Sequence, residues 1–467
     1  MSTFPYLKIS ELTNGVRNKT FSPVEIVEAH LRRAERWQPQ LGAFVHIDAA
    51  AAMIRAREAE QAVMRGDSLG PLHGVPLSIK SCIDVAGWRC PVGSALREAY
   101  VPMHDAPLVA RLKAAGAILI GNTNTPEYLM AYETDNLLFG KTSNPWNLAY
   151  SSGGSSGGEA AAIAAGCSAG GVGSDGGGSI RVPAHFCGIC GLKPTPGRIP
   201  STGHFPPGYG AFSWLGVVGP MGRTVADLRA LFEVMAGPDA GDPHSAPVPV
   251  RNIQGKELRG MRIGVLESAG LGLATTETFE AVQRAAKLLG ENHFVVEPLR
   301  LDGLEQALEL WWFFFGNVVG HLFRKSLAGQ EEALSPMFRE YLSSSIAEEP
   351  ATLEQFLKAS AERGMLRAEL VRQLRDVPVL LSPVSAAPAF RHGEGNWKRG
   401  TGYRETMRHS QWLNLAGFPG ISVPLGVSSE GLPIGVQLIG RPHEEELLLA
   451  VGEALEEKRG PWQGPGL

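Results

Sequence analysis

Serines sit among glycines in the middle of this chain. GGSSGG (153–158) holds Ser155 and Ser156, and SDGGGSIR (174–181) places Ser179 directly after a glycine triplet. Such serines suit nucleophilic attack, but a hydroxyl is a weak nucleophile near neutral pH and needs a base beside it. Neither run contains a histidine, and the twelve histidines are scattered without an H-E-x-x-H pair. The sequence therefore poses two questions: which serine attacks, and what takes its proton.

Short motifs give conflicting answers until their context is checked. Residues 153–157 fit G-x-S-x-G, the nucleophile elbow, which would make Ser155 the nucleophile. An elbow needs a strand just before the serine, and SNPWNLAYSS, with Pro145, does not predict a convincing one. Residues 171–176 fit G-x-G-x-x-G, but that fingerprint must follow a strand and open a helix. Here an alanine-rich run precedes it and the proline-containing SIRVPAHF follows, so a nucleotide-binding protein is a weak alternative. Gly140-Lys141-Thr142 lacks the earlier glycine of a phosphate loop, since Asp135 stands there. Cys187 and Cys190 have C-x-x-C spacing, with no second pair or matching histidines for zinc; they read as small buried residues, and no metal site is expected.

The elements around these serines can be read from periodicity. SPVEIVEAHLRRAERW predicts a helix capped by Ser22 with Pro23 in its first turn. In VPLSIK, alternating Val75, Leu77 and Ile79 predict a strand ending at Lys80. LVARLKAAGAILIG reads as helix, glycine stop and strand. RGMRIGVLE, HFVVEPL and VPVLLSPV predict further strands, ISVPLGVSSEGLPIGVQLIG a hairpin, and TETFEAVQRAAKLLGEN and HEEELLLAVGEALEEK helices. The tail RGPWQGPGL reads as loose. Helices and strands mixed in this way predict an α/β fold. Residues 153–179 hold eleven glycines in 27 residues. A flexible linker would explain the glycine, but EAAAIAAGC inside the stretch reads as a buried helix, so close backbone approach is the better account.

Bulk properties bound the rest. A chain of 467 residues favours two or three domains on length alone, yet no long Gly/Ser or Pro linker divides it. A net charge of −4 without clustered basic residues argues against nucleic acid or an anionic membrane as partner. The N-terminus lacks a signal pattern and no apolar run approaches the roughly 18 residues of a membrane span. Five cysteines give no disulfide framework, which leads us to expect a cytoplasmic protein.

The stretch GGSSGGEAAAIAAGCSAGGVGSDGGGSIRVPAHFCGICGLKP (153–194) resembles the signature of the amidase signature family. PLHGVPLSIK, GNTNTPEYLMAYETDNLLFGKTSNPWN, VVGPMGRTVADL, NLAGFPGISVPLG and GLPIGVQLIGRP are similar to other blocks of that family. The resemblance implies one amidase domain over residues 1–467, with a signature core at 70–225 and a variable pocket region at about 240–375. It implies a single large mixed β-sheet covered on both faces by helices. Ser179 then matches the nucleophile, Ser155 the bridging serine on a cis peptide, and Lys80 the base; Gly176, Gly177 and Gly178, with Ser179, match the oxyanion hole. A lysine acts as a base near neutral pH only if burial or neighbouring positive charge keeps it neutral. The strand pattern alone would favour an exposed lysine in a βα loop.

Leu129, Met130 and Ala131 match positions that approach substrate in members resembling fatty-acid amide hydrolases. The resemblance further implies no cofactor, a small-molecule amide, ester or carbamate substrate, and a homodimer. A glutamine amidotransferase A-type subunit is the alternative within the family. Two features depart from the family's common pattern: Gly176 stands where Thr or Ile is common, and Ser81-Cys82 follow Lys80 where an acidic residue is frequent. Five consecutive aromatics, Trp311 to Phe315, cannot all be buried against one helical face. Core packing is the commoner fate of such residues, with some left to line an apolar pocket.

Overall fold

The computed structural model describes residues 4–208, 210–253, 258–267, 271–272, 274–345, 350–397 and 402–467. Its strands are β1 (Phe44–Ile47), β2 (Pro76–Lys80), β3 (Ile118–Thr123), β4 (Ser143–Asn144), β5 (Asn147–Ser151), β6 (Gly170–Asp175), β7 (Cys190–Lys193), β8 (Val217–Gly222), β9 (Arg262–Leu266), β10 (Val295–Leu299), β11 (Val379–Pro383), β12 (Gly420–Val427) and β13 (Pro433–Gly440). Eleven of them form one sheet in the order β1-β3-β2-β6-β8-β7-β12-β13-β11-β9-β10. The sheet is mixed. β3, β2 and β6 run parallel, as do β11, β9 and β10, while β6 through β8, β7, β12, β13 and β11 pair antiparallel in turn.

Alternation along the strands shows that helices cover both faces. Val379 and Leu381 of β11 join a core with Ala281, Val282 and Leu448 from the helices Thr276–Glu291 and Glu445–Arg459. Leu380, between them, joins a second core with Trp311, Phe314 and Trp412. Because successive side chains of a strand point to opposite faces, these two cores lie on opposite sides of the sheet.

The predicted strands and helices recur close to their expected bounds. Ser22 caps the helix Pro23–Leu41 by accepting from the amides of Val24 and Glu25. The alanine-rich helix Gly157–Ala164 is buried along its whole length. All five cysteines are buried free thiols. The C-terminal tail differs from expectation. The Trp462 indole donates to the Gly188 carbonyl at 2.7 Å and its ring packs against Tyr6, 5.8 Å between centroids.

Two motif contexts also resolve differently. A short strand, β5, does precede Ser155, paired with β4 in a ribbon outside the main sheet. Its polar residues masked it in the sequence, and its backbone also pairs across the chain: the Ser151 amide donates to the Phe390 carbonyl at 2.9 Å, and the Ala149 carbonyl accepts from the His392 amide at 3.3 Å. The G-x-G-x-x-G match lies largely within β6 itself, not in a loop after a strand. There the glycines serve packing: a Cβ on Gly171 would collide with the Ser78 carbonyl and the Glu159 carboxylate.

Candidate active site

β2 and β6 are adjacent and parallel, so their carboxyl ends meet at one edge of the sheet, where open α/β sheets form ligand sites. Lys80 ends β2, and Ser174 and Asp175 end β6. Lys80 is completely buried; its Nζ donates to Ser155 Oγ at 2.7 Å, to Ser174 Oγ at 3.0 Å and to the Ser174 carbonyl at 3.4 Å. Burial lowers its pKa from 10.5 to about 8, against the opposing pull of Cys82, Asp175 and Glu159. At that value about a tenth of the lysine is neutral at pH 7. The exposed lysine that the strand pattern favoured is thus not what the fold builds.

Ser155 follows a cis Gly154–Ser155 peptide, immediately before the buried helix. Ser179 lies in the loop after β6 and is nine-tenths buried. The Ser156 amide donates to the Ser179 carbonyl at 3.2 Å, which ties the two serine-bearing loops together. Lys80 and Ser155 are directly hydrogen-bonded; Ser155 and Ser179 line a common pocket, with no bond between their hydroxyls among the described residues. Catalytic contacts of this kind commonly tighten only when substrate binds.

The loop from Gly176 to Ile180 is held from outside. The Tyr132 hydroxyl donates to the Gly177 carbonyl at 2.7 Å, and the Trp311 indole donates to the Gly176 carbonyl at 3.0 Å. Asp175 accepts from the amides of Gly178 (2.7 Å) and Ile180 (3.1 Å). It is also paired with Arg181 at 3.0 Å, both side chains fully buried. Burial pushes the Asp175 carboxyl up, but the charge and hydrogen bonds of Arg181 outweigh it and hold the group below the usual carboxylate range. Of the predicted oxyanion donors, Gly178 is therefore engaged by Asp175. The amides of Gly176, Gly177 and Ser179 have no acceptor among the described residues.

The pocket is narrow, with a cavity volume of about 20 Å³. Leu129, Met130 and Ala131 line it, together with Phe212, Phe315 and Trp397. Tyr128 and Leu129 adopt φ values of 50° and 70°, a left-handed conformation that costs a non-glycine residue about 1–2 kcal/mol. The Tyr128 amide is fixed on the Val92 carbonyl at 2.9 Å, and the Trp397 indole holds the Met130 carbonyl at 3.1 Å. Of the five aromatics, Trp311, Phe314 and Phe315 are buried while Trp312 and Phe313 are partly exposed, across a switch from α-helix to a π-helical turn at Phe313–Val319. Ser174, Asp175 and Arg181 flank the serine motif and could have been singled out from it. Tyr132, Trp397 and His204 carried no comparable signal.

The amidase family model matches residues 25–449. The chain belongs to the amidase family. It is 34% identical over 481 residues to the A-type subunit of glutamyl-tRNA(Gln) amidotransferase from Carboxydothermus hydrogenoformans, covering 97% of each chain. Among solved structures, a bacterial aryl acylamidase of the amidase signature family superposes with a TM-score of 0.84 at 27% identity, covering 99% of this chain and 98% of that one. A fatty acid amide hydrolase superposes with a TM-score of 0.88 at 25% identity, over 98% of this chain and 86% of that one. As a member of that family the chain is an enzyme acting on amide C–N bonds. Among the described residues no helix is long and apolar enough to cross a membrane, and no cluster of histidine, cysteine and acidic side chains could hold a metal ion.

Proposed function

We propose that this amidase hydrolyses carboxylic amides with aryl or aliphatic acyl groups through an acyl-enzyme on Ser179. The observation that carries the proposal is the buried 2.7 Å contact between Lys80 Nζ and Ser155 Oγ, opening onto an apolar pocket that Ser179 also lines. Neutral Lys80 takes a proton from Ser155, which takes one from Ser179. Ser179 Oγ attacks the carbonyl carbon, and the amides of Gly176, Gly177 and Ser179 receive the oxyanion; one such donor is worth about 2.7–4 kcal/mol in the transition state. The C–N bond breaks as the relay returns a proton to the departing amine. Water, deprotonated by the same relay, then hydrolyses the Ser179 ester. Esters and N–H carbamates present the same carbonyl and are further substrates.

The second reading is a glutamine-dependent amidotransferase A-type subunit, which the Carboxydothermus relative favours. The pocket favours the first. Free glutamine carries a charged ammonium and carboxylate at its α-carbon, whereas Asp175, the one acidic side chain among the described residues lining the pocket, is already paired with Arg181.

A phosphonylating probe followed by peptide mass spectrometry tests the chemistry and the site together. Label on Ser179, lost along with turnover in Ser179→Ala, is expected. Label that survives in Ser179→Ala but vanishes in Ser155→Ala would refute the assignment in favour of the elbow. Turnover of aryl amides by the purified chain, without glutaminase activity, separates the two readings of function.

A further inference from the structure

The pocket has a polar side chain, His204, to which neither the mechanism nor the loop contacts above give a role. His204 is nine-tenths buried and lines the pocket with Ser155 and Ser179. Its backbone is anchored beside the catalytic lysine: His204 bridges Ile83, and the next amide, of Phe205, donates to the Cys82 carbonyl at 2.9 Å. Its ring stacks on Phe212, another lining residue, at 6.3 Å and 14°.

The hydrogen bonding fixes the tautomer. His204 Nδ1 lies 2.9 Å from the Pro206 carbonyl, which can only accept, so Nδ1 carries the proton. Burial and the nearby Lys80 charge lower the ring's pKa to about 4 despite that bond, so it stays neutral over the working range. Nε2 is then a bare acceptor, and it is buried with no partner among the described residues. A buried acceptor left unpaired is costly, and native proteins rarely retain one that no ligand or water satisfies. The Tyr132 hydroxyl and the Trp397 indole, which line the same pocket, are committed elsewhere, to the Gly177 and Met130 carbonyls.

We infer that His204 Nε2 accepts a hydrogen bond from the N–H of the scissile group, and so selects secondary amides and N–H carbamates over esters. This rests on the acyl-enzyme reading above. An amide's carbonyl oxygen and its N–H point in opposite directions, so a pocket with donors for the one and an acceptor for the other reads both ends of the group. An ester offers an oxygen lone pair at the same place, which repels Nε2. A site built around a substrate N–H discriminates sharply against the analogue lacking it, because its own buried group is left unpaired. His204 thus acts as a specificity-determining residue and carries no proton itself.

The test uses a matched pair, p-nitrophenyl butyrate and p-nitrobutyranilide, which differ only by oxygen in place of N–H. His204→Asn keeps a donor near the Nδ1 position for the Pro206 carbonyl and removes the Nε2 acceptor; His204→Gln keeps an acceptor near the Nε2 position. The expected result is a fall of at least about tenfold in the anilide-to-ester ratio of kcat/KM in His204→Asn, as the anilide loses its acceptor and the ester loses the repulsion. His204→Gln is expected to retain the native anilide-to-ester ratio. An unchanged ratio in His204→Asn, or an equal fall on both substrates, overturns the His204 assignment while Ser179 acylation stands. Failure of both substrates to acylate Ser179 in the native protein refutes the underlying reading, and the inference with it.

Discussion

Replacing Lys80 by Met separates the lysine's role in chemistry from its effect on stability. Burial lowers the pKa of Lys80 from 10.5 to about 8. At about 1.4 kcal/mol per pKa unit, keeping this group charged in the fold costs about 3 kcal/mol at any pH below 8. The folded pKa lies below the unfolded one, so between pH 8 and 10.5 the unfolded chain binds more protons and stability rises with pH across that window. Met relieves the penalty but strands the hydroxyls of Ser155 and Ser174, a loss of about 1 kcal/mol.

Lys80→Met should therefore be inactive, and more stable than the native protein by about 2 kcal/mol at pH 7 in urea unfolding. By pH 10.5 the gain should have disappeared. In the native protein, acylation by an uncharged phosphonylating probe should rise about 25-fold from pH 6.5 to 8.5 and then level off. A variant destabilised equally at both pH values would refute the buried-neutral lysine. So would a native profile that is flat, or one still climbing tenfold per pH unit above pH 9.

Trp311→Phe removes the tether on the Gly176 carbonyl and should lower kcat about fivefold, the equivalent of one hydrogen bond, with KM nearly constant. A rise in KM at constant kcat, from steady-state kinetics on an aryl amide, would assign Trp311 to binding instead. At Gly176, where the backbone is not left-handed, an added Cβ would sit 3.9 Å from the Phe212 ring and 4.0 Å from Phe315. Gly176→Ala should keep full activity, while Gly176→Ile should reduce the benzoyl-to-acetyl anilide preference by about tenfold as the branched chain fills that gap; an unchanged preference would show that the acyl group lies elsewhere.

What the sequence determined by itself was local or carried by contiguous motifs. Alternation in VPLSIK placed Lys80 at a strand end, the alanine run marked a buried helix, and the long glycine-rich signature singled out Ser155 and Ser179 with their neighbours. These are signals of period and spacing, which a chain displays before it folds. The environment of those residues was decided by contacts across the chain. Trp311 reaches Gly176 across 135 residues, and Asn414 donates to the Asp175 carbonyl across 239. Lys80 meets Ser174 through the parallel pairing of β2 with β6, and the same pairing removes it from water. The commitment of the Gly178 amide to Asp175 and the unpaired Nε2 of His204 arise in the same way. A motif fixes which groups are present; their protonation, and which donors and acceptors stay free for substrate, follow from desolvation and hydrogen-bond partners that only the packed structure supplies.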